Sequence, residues 1–403
     1  MPIRSVPARL ATVLALALLA ALPATASAAA KPAKLPAAPK GLRFYTPPKK
    51  LPAKAGAVIW ARKLTGAPAL KSAAKNLLVL YRTTTATGKR TVASGVVSVP
   101  NGKAPKGGWP VITWTHATTG IADVCAPSRD SASSPTHADI DYVYPQLNAW
   151  LKRGWAIVRT DYQGLGTPGT HPYLVGAAAA HDAVDIIRAG RQLVPQLGRT
   201  WIAAGHSQGG HAALFTGALG PKYAPELKLR GVAAFAPASH ISTIVGAAAL
   251  IQSPGGSLSG TGALLLAGAA AGDPAVNLKA LLTPQAYALL PDVERRCLGQ
   301  LSEPDSWGGV APANLLAAGA DRGALNAEIA ANDPEKLHFT VPVLLLQGTA
   351  DTSVYRSFTD GLDTSLVAGG ADVTYKTYPG VDHYPLLAAA QADATAFFAS
   401  RLP

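Results

Sequence analysis

Short apolar runs recur along most of the chain, and their composition separates strands from helices. Runs rich in β-branched residues predict strands at 57–62, 77–85 and 91–99. Short apolar runs predict further strands at 111–115, 156–160, 201–204, 231–235, 343–346 and 373–378. The turn residues Thr87-Gly88-Lys89 separate the second and third runs, and Pro100-Asn101-Gly102 follow the third, which predicts an antiparallel opening. Most of the later runs are short and mainly apolar, which is typical of strands buried on both faces of a parallel sheet.

Helical periodicity lies between several of these runs and is clearest over 176–193. The alternation of strand and helix predicts an α/β fold, with a mostly parallel central sheet and helices on both faces. It breaks between about 238 and 336, where the chain is rich in Ala, Leu and Gly. A loop of that length without structure of its own is uncommon, so we expect an inserted helical cap.

The N-terminal residues 1–28 have the pattern of a secretory signal peptide. Arg4 and Arg9 precede an apolar stretch over 10–22, and small residues over 24–28 offer cleavage positions. The apolar stretch is shorter than the roughly 20 residues that a membrane-spanning helix needs. No later segment indicates a span, so we expect a secreted, extracellular protein without a transmembrane segment after cleavage.

Positive charge is concentrated just after this signal. The chain carries a formal charge of +13, and 31–54 contains seven basic residues, six prolines and no acid. This composition predicts an extended, solvated linker over 29–55, followed by one folded domain over 56–403. Attraction to an anionic cell envelope is the alternative interpretation. The sequence after this segment contains no basic patch interleaved with aromatic residues, so nothing in it indicates nucleic-acid binding.

The chain has two cysteines, Cys125 and Cys297. An exported protein enters an oxidising environment, where the two thiols can pair. We expect a disulfide between them, and two buried free thiols are the alternative.

The stretch Gly205-His206-Ser207-Gln208-Gly209 joins an apolar strand to an alanine-rich helical run. Gly-x-Ser-x-Gly is common by chance, but strand, turn and helix together are the setting of a nucleophile elbow. Glycines on both sides allow the sharp turn to pack against neighbouring backbone. Ser207 is therefore the candidate nucleophile at the carboxyl edge of the sheet.

A serine hydroxyl needs a general base, and the base needs an orienting carboxylate. Asp351 follows the run at 343–346 and His383 follows the run at 373–378, in the chain order of an α/β-hydrolase triad. Asp382 is the weaker candidate acid, because a sequence neighbour generally does not reach back to the imidazole. His206 and His211 flank the nucleophile and are expected to pack within the elbow and its helix.

The negative oxygen formed during acyl transfer needs hydrogen-bond donors. The backbone N–H of Gln208, next to the nucleophile, is the first candidate. Thr118, with Ala117 as the alternative, follows the strand at 111–115 and is the second candidate. Such a mechanism requires no metal or organic cofactor.

Four segments together resemble the secretory lipase family of α/β-hydrolases: GHSQGG, QGTADTSV, GVDHYP and, most specifically, DYQGLGTPGTHPYLVG over 161–176. The resemblance covers most of the chain from about residue 56 and is weakest in the cap. It implies a helical cap that shapes an acyl pocket, and a preference for acylglycerols. It also implies Ser207, Asp351 and His383 as nucleophile, acid and base.

The main interpretation is a secreted serine lipase or carboxylesterase that acts on small-molecule or lipid esters and contacts a lipid–water interface. A secreted aminopeptidase or amidase is one alternative, since acidic cap residues could bind a substrate ammonium; these residues are Asp292, Glu294, Glu303 and Asp305. A non-catalytic envelope-binding protein is another. Chain-length preference and oligomeric state do not follow from the sequence.

Overall fold

The central feature of the fold is a single twisted sheet. The computed structural model describes residues 1–2 and 36–403, so the expected signal peptide lies outside the described residues. The strands are β1 Val58–Lys63, β2 Lys75–Thr84, β3 Arg90–Val99, β4 Trp109–Thr115, β5 Ala156–Gln163, β6 Leu197–His206, β7 Lys228–Phe235, β8 Val343–Gly348 and β9 Val373–Tyr378. Each of the strands predicted from the apolar runs is present, with bounds that differ by a few residues.

The strand order across the sheet is β1-β2-β3-β5-β4-β6-β7-β8-β9. β1, β2 and β3 pair antiparallel, and β3 also pairs antiparallel with β5. From β5 to β9 every pairing is parallel. The predicted antiparallel opening is confirmed, and the carboxyl ends of β4 to β9 share one edge.

Helices surround this sheet, and the predicted helix over 176–193 has those bounds. The α-helices are α1 His137–Asp141, α2 Tyr144–Lys152, α3 Gly176–Leu193, α4 Gln208–Tyr223, α5 Ile241–Ala248, α6 Ser257–Gly272, α7 Leu278–Leu281, α8 Pro284–Ala288, α9 Leu298–Leu301, α10 Gly323–Ala331, α11 Arg356–Ala368, α12 Leu386–Ala389 and α13 Gln391–Ala399. Short 3-10 helices lie at Gly41–Tyr45, Asp123–Cys125, Pro127–Arg129, Leu290–Glu294, Trp307–Gly309, Pro312–Asn314 and Pro334–Lys336.

The apolar strands are buried because helices cover both faces. One cluster joins Val111 and Val232 of the sheet to Val184 and Leu214 of α3 and α4. A second cluster, on the opposite face, joins Ile112, Ile157 and Ile202 of the sheet to α2, α12 and α13. Successive strand residues point to opposite faces, so an uninterrupted apolar strand supplies both clusters. Among the described residues, no helix is both long and apolar enough to cross a membrane.

Part of the segment expected as a solvated linker packs onto the folded domain. Phe44 is fully buried and Tyr45 is 5% exposed. The Phe44 carbonyl accepts a 2.8 Å hydrogen bond from the Trp60 indole, and Tyr45 bonds the Ser128 hydroxyl. The linker expectation is therefore wrong here. The expectation rested on the average Lys/Pro-rich composition of the segment. Burial of the two adjacent aromatic side chains favours packing of this part of the segment on the domain, and average composition does not reflect that contribution.

The chain between β7 and β8 forms the helices α5 to α10, of which α6 is the longest. They share an apolar cluster that also contains Ile121, Tyr173 and Leu174 from the loops at the carboxyl edge of the sheet. The insertion therefore packs directly on these loops.

Candidate active site

Ser207 lies in a strained turn between β6 and α4. Its backbone has φ 58° and ψ −119°, a conformation that non-glycine residues seldom adopt. Its N–H donates to the Phe235 carbonyl of β7 at 2.9 Å. A side chain at Gly209 would overlap the Thr115 carbonyl oxygen, and one at Gly205 would overlap the Gly209 carbonyl. Glycine is thus required on both sides because backbone lies against backbone.

Asp351 and His383 are in contact at the same edge of the sheet. His383 Nδ1 lies 2.7 Å from Asp351 Oδ2, and both side chains are almost completely buried. The other Asp351 oxygen accepts from the backbone N–H groups of Ser353 at 2.9 Å and Val354 at 2.8 Å. Burial raises the pKa of Asp351, but the His383 hydrogen bond and charge and the two N–H donors lower it below its usual value overall.

Asp382 has a different role from Asp351. Its Oδ1 accepts from the backbone N–H of His383 at 2.7 Å and from that of Thr352 at 3.2 Å. It therefore ties the β8 and β9 loops together through their backbones, while Asp351 contacts the imidazole.

His383 lies beside the serine turn. Its ring centroid is 4.2 Å from that of His206, the residue before Ser207. His206 is fully buried and bonds the Tyr142 hydroxyl through Nδ1 at 2.7 Å. Burial, followed by the charge of His383, holds the pKa of His206 well below its usual value. A neutral His206 therefore supports the serine turn and the His383 ring together.

The hydrogen bonds of residues 36–403 include His383–Asp351 and none from the Ser207 hydroxyl to His383. Hydrogen bonds between a nucleophile and its base are often long in unliganded enzymes and shorten when substrate binds.

The candidate oxyanion donors lie on two segments that contact each other, the start of α4 and the loop after β4. Gln208 is the first residue of α4, where backbone N–H groups lack a partner within the helix. The Thr115 and His116 carbonyls pack on Gly209, one residue further along α4. Thr118 is 9% exposed, and its hydroxyl bonds the Tyr173 hydroxyl at 2.8 Å.

The loop after β4 is also tied to the insertion. A Cys125–Cys297 disulfide joins them, as expected from the sequence. Beside it, the N–H of Leu298 donates to the Thr119 carbonyl at 3.0 Å. The disulfide and this hydrogen bond hold the start of α9 against the loop that carries Thr118.

Residues of the segment 161–176 surround the site, and sequence reasoning gave them no role. Gln208 Nε2 lies 3.0 Å from His171 Nε2, and the Tyr162 hydroxyl donates to the His116 carbonyl at 3.1 Å. Tyr162 has φ 70°, a second strained position. In the sequence, only the distinctive motif over 161–176 pointed to these residues. A motif alone does not show which of its side chains contact the residues around the Ser207 turn.

The insertion contains both an apolar cavity and an exposed apolar edge. The cavity measures about 130 Å³ and lies between α5, α6 and α10; its lining includes Val245, Leu258, Leu265, Leu266, Leu315 and Leu325. On the outside, Leu250 is 79% exposed and Ile251 and Leu258 are each 37% exposed. The stretch 241–272 has no charged residue.

Two of the acidic cap residues are paired with a basic side chain. Arg296 donates to both carboxylate oxygens of Asp305 at 3.0 and 3.1 Å. It also lies 3.6 Å from Asp292. This pairing reduces the charge that these residues could offer to a substrate ammonium.

The parallel sheet, the serine turn after β6 and the helical insertion before β8 define an α/β-hydrolase. Residues 130–403 match the secretory lipase family, and the chain belongs to that family. Its fold is similar to lipase A of Candida antarctica in its closed state, with TM-score 0.71 and 21% identity over 89% of this chain and 86% of that one.

Two further similarities extend this comparison. The cell wall degrading esterase LipA of Xanthomonas oryzae has TM-score 0.67 and 18% identity, over 86% of this chain and 98% of that one. A Mycobacterium tuberculosis protein named as a probable inactive lipase is 27% identical over 326 residues, covering 74% of this chain and 67% of the relative. Family and fold are thus those of ester hydrolases.

Proposed function

We propose that this protein is an exported serine hydrolase that cleaves carboxylic esters through an acyl-enzyme intermediate. The observation that carries the proposal is the 2.7 Å contact between His383 and Asp351 beside the strained turn of Ser207. The three residues lie on loops that follow β6, β8 and β9 at one edge of the sheet. Secretion is supported by the family and by the disulfide.

The proposed reaction has two halves. His383 takes the Ser207 proton as the hydroxyl attacks the ester carbonyl, and Asp351 stabilises the imidazolium. The N–H of Gln208 and a donor from the Ala117–Thr118 loop bind the negative oxygen. The alcohol leaves with a proton from His383, and His383 then activates water to release the acid.

The proposed substrates are acyl esters with an apolar chain, triacylglycerol among them. Support comes from the apolar cavity of the insertion, which would receive part of the chain. The exposed Leu250 and Ile251 in an uncharged stretch would contact a lipid–water interface.

A series of p-nitrophenyl esters from acetate to palmitate, with emulsified triacylglycerol alongside, tests the proposal. We expect Ser207-dependent hydrolysis that extends to long chains, and a loss of about 10⁴-fold or more in Ser207→Ala. Ser253→Ala, which alters an exposed serine of the insertion, is the matched control and should keep wild-type rates. Wild-type rates in Ser207→Ala would contradict the proposal.

A non-catalytic binding protein is the second candidate, because one relative is named as a probable inactive lipase. A p-nitrophenyl phosphonate reagent separates the two. Release of one p-nitrophenolate per chain, absent in Ser207→Ala, supports the hydrolase, whereas an unlabelled wild-type protein supports the binding protein.

A further inference from the structure

A buried hydrogen-bonded chain connects the segment 161–176 to Gln208. His171 Nδ1 lies 3.1 Å from the Gln163 carbonyl oxygen, and His171 Nε2 lies 3.0 Å from Gln208 Nε2. A carbonyl oxygen only accepts, so Nδ1 carries the proton and donates. The lone pair on Nε2 then accepts from the Gln208 side-chain amide.

The His171 ring is held on its face as well as at its edges. It stacks on Tyr162 with the ring centroids 5.2 Å apart and the planes 13° from parallel. The ring is 2% exposed, and burial lowers the pKa of His171 to about 3. The neutral form, with one donor and one acceptor, is therefore the one that faces Gln208 over the neutral pH range.

The chain is anchored in the core at its other end. The backbone N–H of Gln163 donates to Asp182 Oδ2 at 2.8 Å, and its side-chain amide donates to Asp182 Oδ1 at 3.1 Å. Asp182 belongs to α3 and is fully buried. Buried and connected polar groups of this kind restrict a side chain more strongly than exposed ones do.

We propose that His171 is a positioning residue for the oxyanion hole: by accepting from the Gln208 side chain, it holds the backbone N–H of Gln208 next to Ser207. The inference rests on the proposed function, because it concerns the oxyanion donor of that same reaction. Preorganised donors stabilise a developing charge more than donors that must first reorient.

The same segment reaches the second candidate donor. The Tyr173 hydroxyl bonds Thr118, and the Tyr162 hydroxyl donates to the His116 carbonyl. Both sides of the oxyanion hole are thus supported by residues of 161–176, which gives this motif a physical role.

The first experiment compares His171→Phe and His171→Gln with the wild type. Phenylalanine keeps a flat ring against Tyr162 but has no acceptor for the hydrogen bond from the Gln208 amide. Glutamine supplies an amide oxygen that accepts this hydrogen bond. We expect kcat in His171→Phe to fall about tenfold with KM unchanged, and a similar fall in affinity for a trifluoromethyl ketone. His171→Gln should recover most of both losses.

The second experiment repeats His171→Phe in a Gln208→Met background. Methionine has a similar length but no amide to hold, so His171→Phe should then cost less than about twofold in kcat. Phosphonate titration counts the reactive Ser207 in every variant, so rates refer to folded, competent molecules.

Wild-type kcat in His171→Phe, or an equal loss in both backgrounds, would overturn this inference and leave the proposed function standing. A parallel fall in the titrated fraction with normal kcat per titrated site would also overturn it, because it would show a purely structural role. A wild-type protein that takes up no phosphonate and hydrolyses no ester would overturn both proposals together.

Discussion

The carboxyl edge of the sheet and the insertion between β7 and β8 are built differently. At the edge, backbone groups contact one another: the Ser207 N–H donates to the Phe235 carbonyl, and Gly209 lies against the Thr115 carbonyl. In the insertion, the helices pack through apolar side chains, a disulfide ties the start of α9 to the loop after β4, and Leu250 lies at an exposed edge. We propose that the chemistry depends on the backbone contacts of the edge, and that substrate preference depends on the side-chain packing of the insertion.

A pair of glycine substitutions tests this contrast most strongly. Gly209→Ala places a methyl group on a backbone oxygen, so the turn must shift, and a misplacement of about 1 Å can cost roughly 100-fold in rate. Gly246→Ala in α5 meets nothing within 4 Å and should stabilise the helix by up to about 1 kcal/mol. Ester kinetics and urea unfolding of both variants measure the difference.

Equal tolerance of the two substitutions would show that the elbow is not constrained by its backbone contacts. Loss of folding in Gly246→Ala would show instead that the insertion is as tightly fitted as the sheet edge.

Removing the disulfide tests the cross-link between the loop after β4 and the insertion. In the Cys125→Ser, Cys297→Ser double variant we expect the free energy of unfolding to fall by about 3–5 kcal/mol, because a long loop is no longer closed in the unfolded chain. Guanidinium unfolding measures the loss. Since Cys125 and Cys297 hold the Thr118 loop against α9, kcat should fall too. Unchanged stability would contradict the role assigned to this link.

Acid sensitivity should arise where α4 meets the insertion. His211 is buried, its Nε2 lies 2.7 Å from the Asn332 carbonyl, and burial lowers its pKa to about 4. Between pH 4 and 6.5 the unfolded chain binds a proton that the folded chain does not. The stabilising contribution of neutral His211 is therefore complete above pH 6.5 and is lost as pH falls toward 4.

The variant His211→Gln retains a donor for Asn332 and removes the titration. Over this pH window the slope of unfolding free energy against pH should be smaller than in wild type by about 1.4 kcal/mol per pH unit. Denaturant unfolding at several pH values measures the slope. The exposed and non-titrating Ser253→Ala variant is the control and should follow the wild type. An unchanged slope in His211→Gln would refute the assignment.

The smallest expected effect lies at the exposed edge of the insertion. In a Leu250→Ser, Ile251→Ser double variant, emulsified triacylglycerol should be hydrolysed about tenfold more slowly, because less apolar area contacts the lipid. Soluble p-nitrophenyl butyrate should be hydrolysed at the wild-type rate. An equal loss on both substrates would place these residues in the catalytic step and not at an interface.

Local patterns go far in predicting the sheet and the candidate triad. Ser207, Asp351 and His383 each follow a strand that its apolar run predicts, and parallel strands bring their carboxyl ends to one edge. Their proximity is therefore a consequence of strand order. The contacts of His171 with Gln208 and of Tyr173 with Thr118 could not be predicted in this way, because they depend on how a loop crosses the sheet edge.

The sequence by itself determined the strand positions, the serine turn and the one disulfide pairing that two cysteines allow, since each follows from local periodicity, turn chemistry or cysteine count. Tertiary structure alone decided that Phe44 and Tyr45 dock on the domain and that His171 faces Gln208. These outcomes depend on distances between segments that are far apart in the chain. Tertiary packing determines those distances, and the local sequence pattern does not encode them.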